Sequence, residues 1–151
     1  PPPFRVQHIP SLPDPDRAQA LLERLRSEFL PLVTARGYAL ISVTEMCCCG
    51  DGLDHLPGRR RRPARRMPSN VLGYNLTTGR RHSIHLRMRR PKSHALLSYE
   101  EVAGTLCHEL AHCERGPHDV QFYTIMESIE EQHAAYLAKG LVVDRAGFPL
   151  E

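Results

Sequence analysis

Ala18, Leu21, Leu22, Leu25 and Phe29 recur at the three- and four-residue spacing that gathers side chains on one stripe of an α-helix. The stretch opens on Asp14-Pro15-Asp16, which reads as an Asp N-cap, a proline at the first helical position and an acid in the first turn. Pro31 is expected to end or kink this helix, and Gly37 to close the segment. Residues 38–46, YALISVTEM, read as a strand. NVLGYNL and SIHLRMR flank TTGRR, a hairpin pattern with Gly79 at the turn. In its second strand Ile84, Leu86 and Met88 alternate with His85, Arg87 and Arg89, so one face is expected to be apolar and the other basic. Ser98 and Glu101 form a capping box ahead of a helix over residues 99–113, with Val102, Leu106 and Leu110 on one stripe. Asp119 caps a last helix carrying Phe122, Ile125, Met126 and Ile129 at helical period, closed by Gly140. The pattern predicts a small α+β domain. Residues 38–46, 71–76 and 83–89 form a sheet packed on the 99–113 helix, with 83–89 as its edge strand.

Composition adds an insertion and a partner. The chain of 151 residues is read as a single domain, residues 1–151, with a Cys- and Arg-rich insertion at about 47–70. CCCGDGLDHLPGRRRRPARRMPSN has the Gly, Pro and Arg clusters of a surface segment. No apolar stretch approaches the roughly 18–20 residues of a membrane span. The start, PPPFRVQHIP, shows no signal peptide and no initiator Met, as expected of a piece of a longer chain. Five cysteines, of which Cys47, Cys48 and Cys49 are consecutive, suggest a reducing compartment or metal chemistry rather than a disulfide scaffold. The net charge of +3 conceals residues 59–92, which hold twelve basic and no acidic side chains. Such a segment predicts a polyanion partner or a localisation signal. Arg59, Arg60, Arg61, Arg62, Arg65 and Arg66 of GRRRRPARR are candidate phosphate contacts, extended by Arg80, Arg81, Arg87 and Arg89 of the hairpin. The same run also reads as a nuclear import signal or a solvated loop. Few aromatics interleave it, which favours backbone contact over base stacking.

The chemistry concentrates in HELAHCERGPHD, residues 108–119. His108 and His112 are four apart, on one helix face, at a span one Zn²⁺ can bridge. Glu109 is rotated about 100° from His108, where a general base for water would flank the metal. A continued helix would place His118 roughly 240° round from His112 and about 9 Å farther along, out of reach. The chain must therefore stop and turn. Gly116 is expected to take the left-handed conformation and Pro117 to prevent continuation, returning His118 to the metal. Three protein ligands leave a fourth position open, the mark of a catalytic site.

HELAHCERGPHD resembles the WLM family of metalloproteases, a branch of the zincins related to the SprT-like (Spartan) proteases. LGYNLTTGRRHSIHLRMR is similar to that family's hairpin before the active-site helix, and FYTIMESIEEQHAAYL to its closing helix. The similarity runs over roughly residues 13–140; the stretch 47–66 is longer than the family pattern. The resemblance implies a zincin-like fold and a protease, stimulated by DNA, that degrades proteins covalently crosslinked to DNA in the nucleus. It carries over His108, His112 and His118 as zinc ligands and Glu109 as base. It also implies SUMO or SUMOylated proteins and an AAA unfoldase as partners, engaged through segments outside this chain.

Other residues are open to more than one reading. Asp119 is a plain N-cap, an orienting partner of His118, or both. Met126 sits either in the core or beneath the metal as in a Met-turn, and its helical period favours the core. Tyr123, Tyr74 and His85 each have the chemistry to polarise a scissile carbonyl. Cys47, Cys48 and Cys49 with His55 match no recognised zinc knuckle, and Cys107 and Cys113 read as packing residues. Against the protease stand two alternatives: a non-catalytic, zinc-stabilised module that binds DNA or a partner, and a general peptidase without a nucleic-acid role.

Overall fold

The computed structural model describes residues 3–46, 71–144 and 149–150. Within them the chain runs β1 (Arg5–Gln7), α1 (Pro15–Arg36), β2 (Ala39–Met46), β3 (Gly73–Thr78), β4 (Arg81–Arg87), α2 (Tyr99–Ala111), α3 (Val120–Ala138), β5 (Val142–Val143) and β6 (Pro149–Leu150). Four strands form one sheet in the order β1-β2-β4-β3, and β5 pairs with β6. β1 and β4 lie parallel to β2, while β3 and β4 form the expected antiparallel hairpin around Gly79. The short strand β1 was not visible in the pattern, because three residues carry no period.

Three expectations change. Pro31 lies inside α1, which continues to Arg36 before Gly37 ends it at φ 70. The apolar stripe explains this: Leu32 and Val33 beyond the proline are buried with Leu22, Leu25 and Phe29, so packing outweighs one lost backbone bond. Asp14 holds the N-cap position of α1, but in a left-handed conformation with no side-chain cap bond. The third change concerns the edge. Residues 83–89 are not an edge strand, since β4 lies between β2 and β3; among the described residues the outer strand on that side is β3.

The apolar stripes meet in one core. Leu22, Leu25 and Phe29 of α1 pack with Val43, Ile84 and Leu86 of the sheet and with Val102, Leu106 and Leu110 of α2. Phe122 and Ile129 bring α3 onto the same cluster, and all of these are buried. The expected alternation on β4 holds for Ile84, Leu86 and Met88, each wholly buried.

Its basic partner face does not form. Arg87 is only 4% exposed and its Nε donates to the Val71 carbonyl at 2.8 Å. Arg89 is fully buried; its Nε donates to Glu45 Oε2 at 2.7 Å and its Nη1 to the carbonyls of His94 and Pro13. Glu45 Oε1 in turn accepts the Ile9 N–H at 2.9 Å. The physical reason is that β4 ends at Arg87, so strand alternation no longer sets the direction of Arg89. Arg87 and Arg89 are thus internal ties of the fold and are withdrawn as phosphate contacts.

Candidate metal centre and active-site cleft

α2 begins with the predicted capping box. Ser98 Oγ accepts the Glu101 N–H at 3.2 Å, and Glu101 Oε2 accepts the Ser98 N–H at 2.9 Å. Burial of Val102, Leu106 and Leu110 sets the rotation of the helix, leaving His108 half-buried and Glu109 only 4% exposed. The helix ends earlier and differently than expected. His112 is the C-cap in right-handed conformation, and three-residue turns follow, Cys113 N–H to Leu110 O at 2.9 Å and Glu114 N–H to Ala111 O at 3.0 Å. Positive φ among the described glycines is confined to Gly37, Gly79 and Gly140, so Gly116 is not the left-handed stop. The tightened turn and Pro117 reverse the chain instead.

The reversal brings the three imidazoles together. Nε2 of His112 is 3.3 Å from Nε2 of His108, and Nε2 of His118 is 3.2 Å and 3.0 Å from those of His108 and His112. Tetrahedral nitrogen ligands at zinc distances stand about 3.3 Å apart, so the triangle fits one metal ion. His112 Nδ1 lies 3.0 Å from the Arg115 carbonyl. A carbonyl only accepts, so Nδ1 carries the proton and Nε2 presents its lone pair to the centre. Burial holds the pKa of His108 and His112 below the usual histidine value, favouring the neutral, ligating form. Among the described residues these three are the one group of side chains able to hold a metal.

Glu109 lies beside them. Desolvation pushes its carboxyl up to about 7, the range in which a carboxylate both takes and gives protons near neutral pH. Its backbone carbonyl, orphaned at the helix end, accepts from Asn75 Nδ2 at 3.0 Å, which ties α2 to β3. Gly73, at the start of β3, permits the approach: a Cβ there would stand 2.7 Å from the His85 carbonyl oxygen and 3.4 Å from Glu109 Cγ. Leu72, Gly73, His108, Glu109, His118 and Met126 line a cleft of about 630 Å³. Asn75 and Gly73 were not singled out from the sequence. A glycine inside a strand pattern was the only signal, and it points to close backbone approach without saying to what.

The remaining candidates fall as follows. Asp119 caps α3, accepting the Phe122 N–H at 3.0 Å, and pairs with Arg115, which together hold its carboxyl at about 2. Met126 packs half-buried against the core, as its period suggests, and lines the cleft; the ring against the three histidines is Phe122, whose centroid is 4.9, 4.5 and 5.0 Å from those of His108, His112 and His118. Tyr74 stacks on His85 at 4.4 Å, and Tyr123 is 49% exposed with its ring against Phe122. None of these three is among the residues lining the cleft. Cys107 is buried, its thiol pushed up to about 12, and the half-buried Cys113 to about 11, as suits packing residues. Arg80 and Arg81 are exposed at the hairpin turn, and Arg80 lines a second hollow of about 640 Å³ with His82, His112 and Arg115. Arg59, Arg60, Arg61, Arg62, Arg65 and Arg66, and Cys47, Cys48, Cys49 and His55, lie outside the described residues.

An α+β domain with three converging histidines and a buried carboxylate beside an open cleft is the class that fold and site define. The chain belongs to the WLM domain family, whose model matches residues 1–149. Its fold is similar to that of Wss1 from Saccharomyces cerevisiae, with a TM-score of 0.72 and 23% identity over 91% of this chain and 93% of that one. It is also similar to Wss1 from S. pombe, with a TM-score of 0.61 and 25% identity over 85% of this chain and 89% of that one. No curated protein sequence matches the chain.

Proposed function

We propose that this chain is a zinc-dependent endopeptidase, stimulated by DNA, that cleaves proteins covalently crosslinked to DNA. One observation carries the reading: Glu109, buried and desolvated, sits beside three converging imidazole nitrogens at an open cleft. A zinc site that only stabilises a fold closes its fourth position and has no use for such a carboxylate. That favours hydrolysis over a zinc-stabilised binding module.

His108, His112 and His118 would hold the ion, which when bound supplies Lewis-acid activation of water and of a scissile carbonyl. Glu109 accepts a proton from the attacking water at its carboxylate and delivers it to the leaving amine nitrogen. Burial raises its proton affinity and a neighbouring cation lowers it, which keeps both halves of the transfer accessible. Among the described residues β3 is the outer strand, and its first residue, Gly73, lines the cleft, where an extended peptide adds as a further strand through main-chain bonds. Such pairing tolerates many sequences, so selectivity must come from location.

Membership of the WLM family, likeness to Wss1 and the ten basic residues of 59–92 other than the buried Arg87 and Arg89 support DNA as that location. The charge speaks against a general peptidase. A nuclear site of action, and SUMO or an unfoldase engaged outside this chain, belong to the same proposal.

The test is proteolysis of one protein, free or crosslinked to single- or double-stranded DNA, together with zinc content by atomic absorption. Glu109→Gln should keep the metal and lose at least about 100-fold in rate. His118→Ala should lose the metal. Undiminished turnover by Glu109→Gln would overturn the mechanism, and equal rates on free and crosslinked protein would overturn the role of DNA.

A further inference from the structure

We infer that Phe122 is a positioning residue for the metal centre: its ring is the platform that holds the His108, His112 and His118 imidazoles in mutual orientation. The inference rests on reading the triad as a metal site. A histidine side chain rotates broadly about its last bond, so three rings converge only if something restrains each. Ligating histidines are ordinarily restrained by a hydrogen bond from the second ring nitrogen. Among the described residues, only His112 has this, from Nδ1 to the Arg115 carbonyl. His108 and His118 share a different restraint. The Phe122 ring meets them at 4.9 and 5.0 Å with interplanar angles of 65° and 83°, edge to face, and meets His112 at 4.5 Å and 37°.

Phe122 is itself fixed. It is wholly buried, and its N–H donates to Asp119 Oδ1 at 3.0 Å. Asp119 is ion-paired with Arg115, whose carbonyl restrains His112. Arg115, Asp119 and Phe122 therefore form one connected support for the three ligands.

The experiment compares wild-type protein with Phe122→Leu and Phe122→Met. Zinc affinity is measured by competition with a chromophoric chelator, ligand geometry by the visible bands of the Co²⁺-loaded protein, and folding by the melting of the metal-free form. Loss of orientation should weaken zinc by about 10- to 100-fold and shift the Co²⁺ bands in variants that still fold without metal. A folded variant with wild-type affinity and wild-type bands would overturn the inference. Failure of both variants to fold, which a core role alone explains, would overturn it equally. Absence of zinc binding by the wild-type protein would instead refute the reading of the triad on which the inference stands.

Discussion

Replacing Arg89 by Met should destabilise the whole fold, not weaken contact with any ligand. The guanidinium is wholly buried, bonded to an equally buried Glu45 carboxylate at 2.7 Å and to the carbonyls of His94 and Pro13. Removing it strands a buried negative charge and leaves two part-buried carbonyls without their donor. Breaking a buried pair from one side costs about 3–5 kcal/mol, against a total stability of roughly 5–15 kcal/mol. For a chain of this size that is a fall of roughly 6–20 °C in melting temperature. The companion variant is Glu45→Leu with Arg89→Met. Arg89 Nη2 is buried without a hydrogen-bond partner, so the native pair does not recover its full desolvation cost. The double variant should therefore regain most of the loss. Arg80→Ala and Arg81→Ala, at exposed positions, should stay within about 0.5 kcal/mol of wild type. Urea titrations of the wild type, the Arg89→Met and Glu45→Leu single variants, their double variant and the two hairpin variants decide the matter. A loss under about 1 kcal/mol for Arg89→Met, or a double variant as unstable as the sum of its singles, would refute the argument. So would a stable Arg89→Met protein that binds DNA weakly, since that requires the side chain to be outside.

Gly73→Ala should cost about 1–3 kcal/mol and slow proteolysis, because the new Cβ would meet the His85 carbonyl at 2.7 Å beside Glu109; unchanged melting and rate would show that β3 yields freely. Burial lowers the pKa of His82, His85 and His133, so below about pH 6.5 the unfolded chain binds protons that the folded one refuses. Stability should then fall as pH drops from about 6.5 and be unaffected by these groups above it. The urea midpoint of metal-free Glu109→Gln is the measure, since that background removes a carboxyl of opposite sign, and a flat midpoint would contradict it. DNA affinity should fall with salt at a log–log slope near −0.9 per phosphate contact on duplex and about −0.7 on single strands. Replacing Arg59, Arg60, Arg61 and Arg62, or Arg80 and Arg81, should flatten that slope; unchanged slopes in both would leave the basic segment as an import signal.

Local signals with a short physical range could be read directly from the sequence. The capping box at Ser98 and Glu101, the Asp119 cap and the hairpin around Gly79 each depend on residues within a few positions of one another, and each stands in the structure. The apolar stripes of the three helices face the core as their period requires, with Leu21, Ile125 and Met126 only partly buried at its margin, because a 3.6-residue repeat fixes which face meets the core. The three histidines were legible for a related reason: four-residue spacing settles two, and a helix that must stop settles the third. How the chain stopped was not legible. A Gly-Pro pair signals a break without saying whether the glycine or the preceding turn makes it, and here the turn from His112 to Arg115 does.

What the tertiary structure decided is which non-neighbours meet. Alternation along residues 83–89 says that Arg87 and Arg89 oppose Leu86, but not that β4 ends at Arg87 or that Glu45 waits across the sheet, 44 positions away. Strand order is likewise a matter of pairing, and among the described residues it puts β3, not β4, on the outside of the sheet. Phe122 reads as one more core position by its period. Only the folding of α3 against the end of α2 places its ring against all three imidazoles, and no periodicity encodes a contact between two helices that a reversed chain brings together.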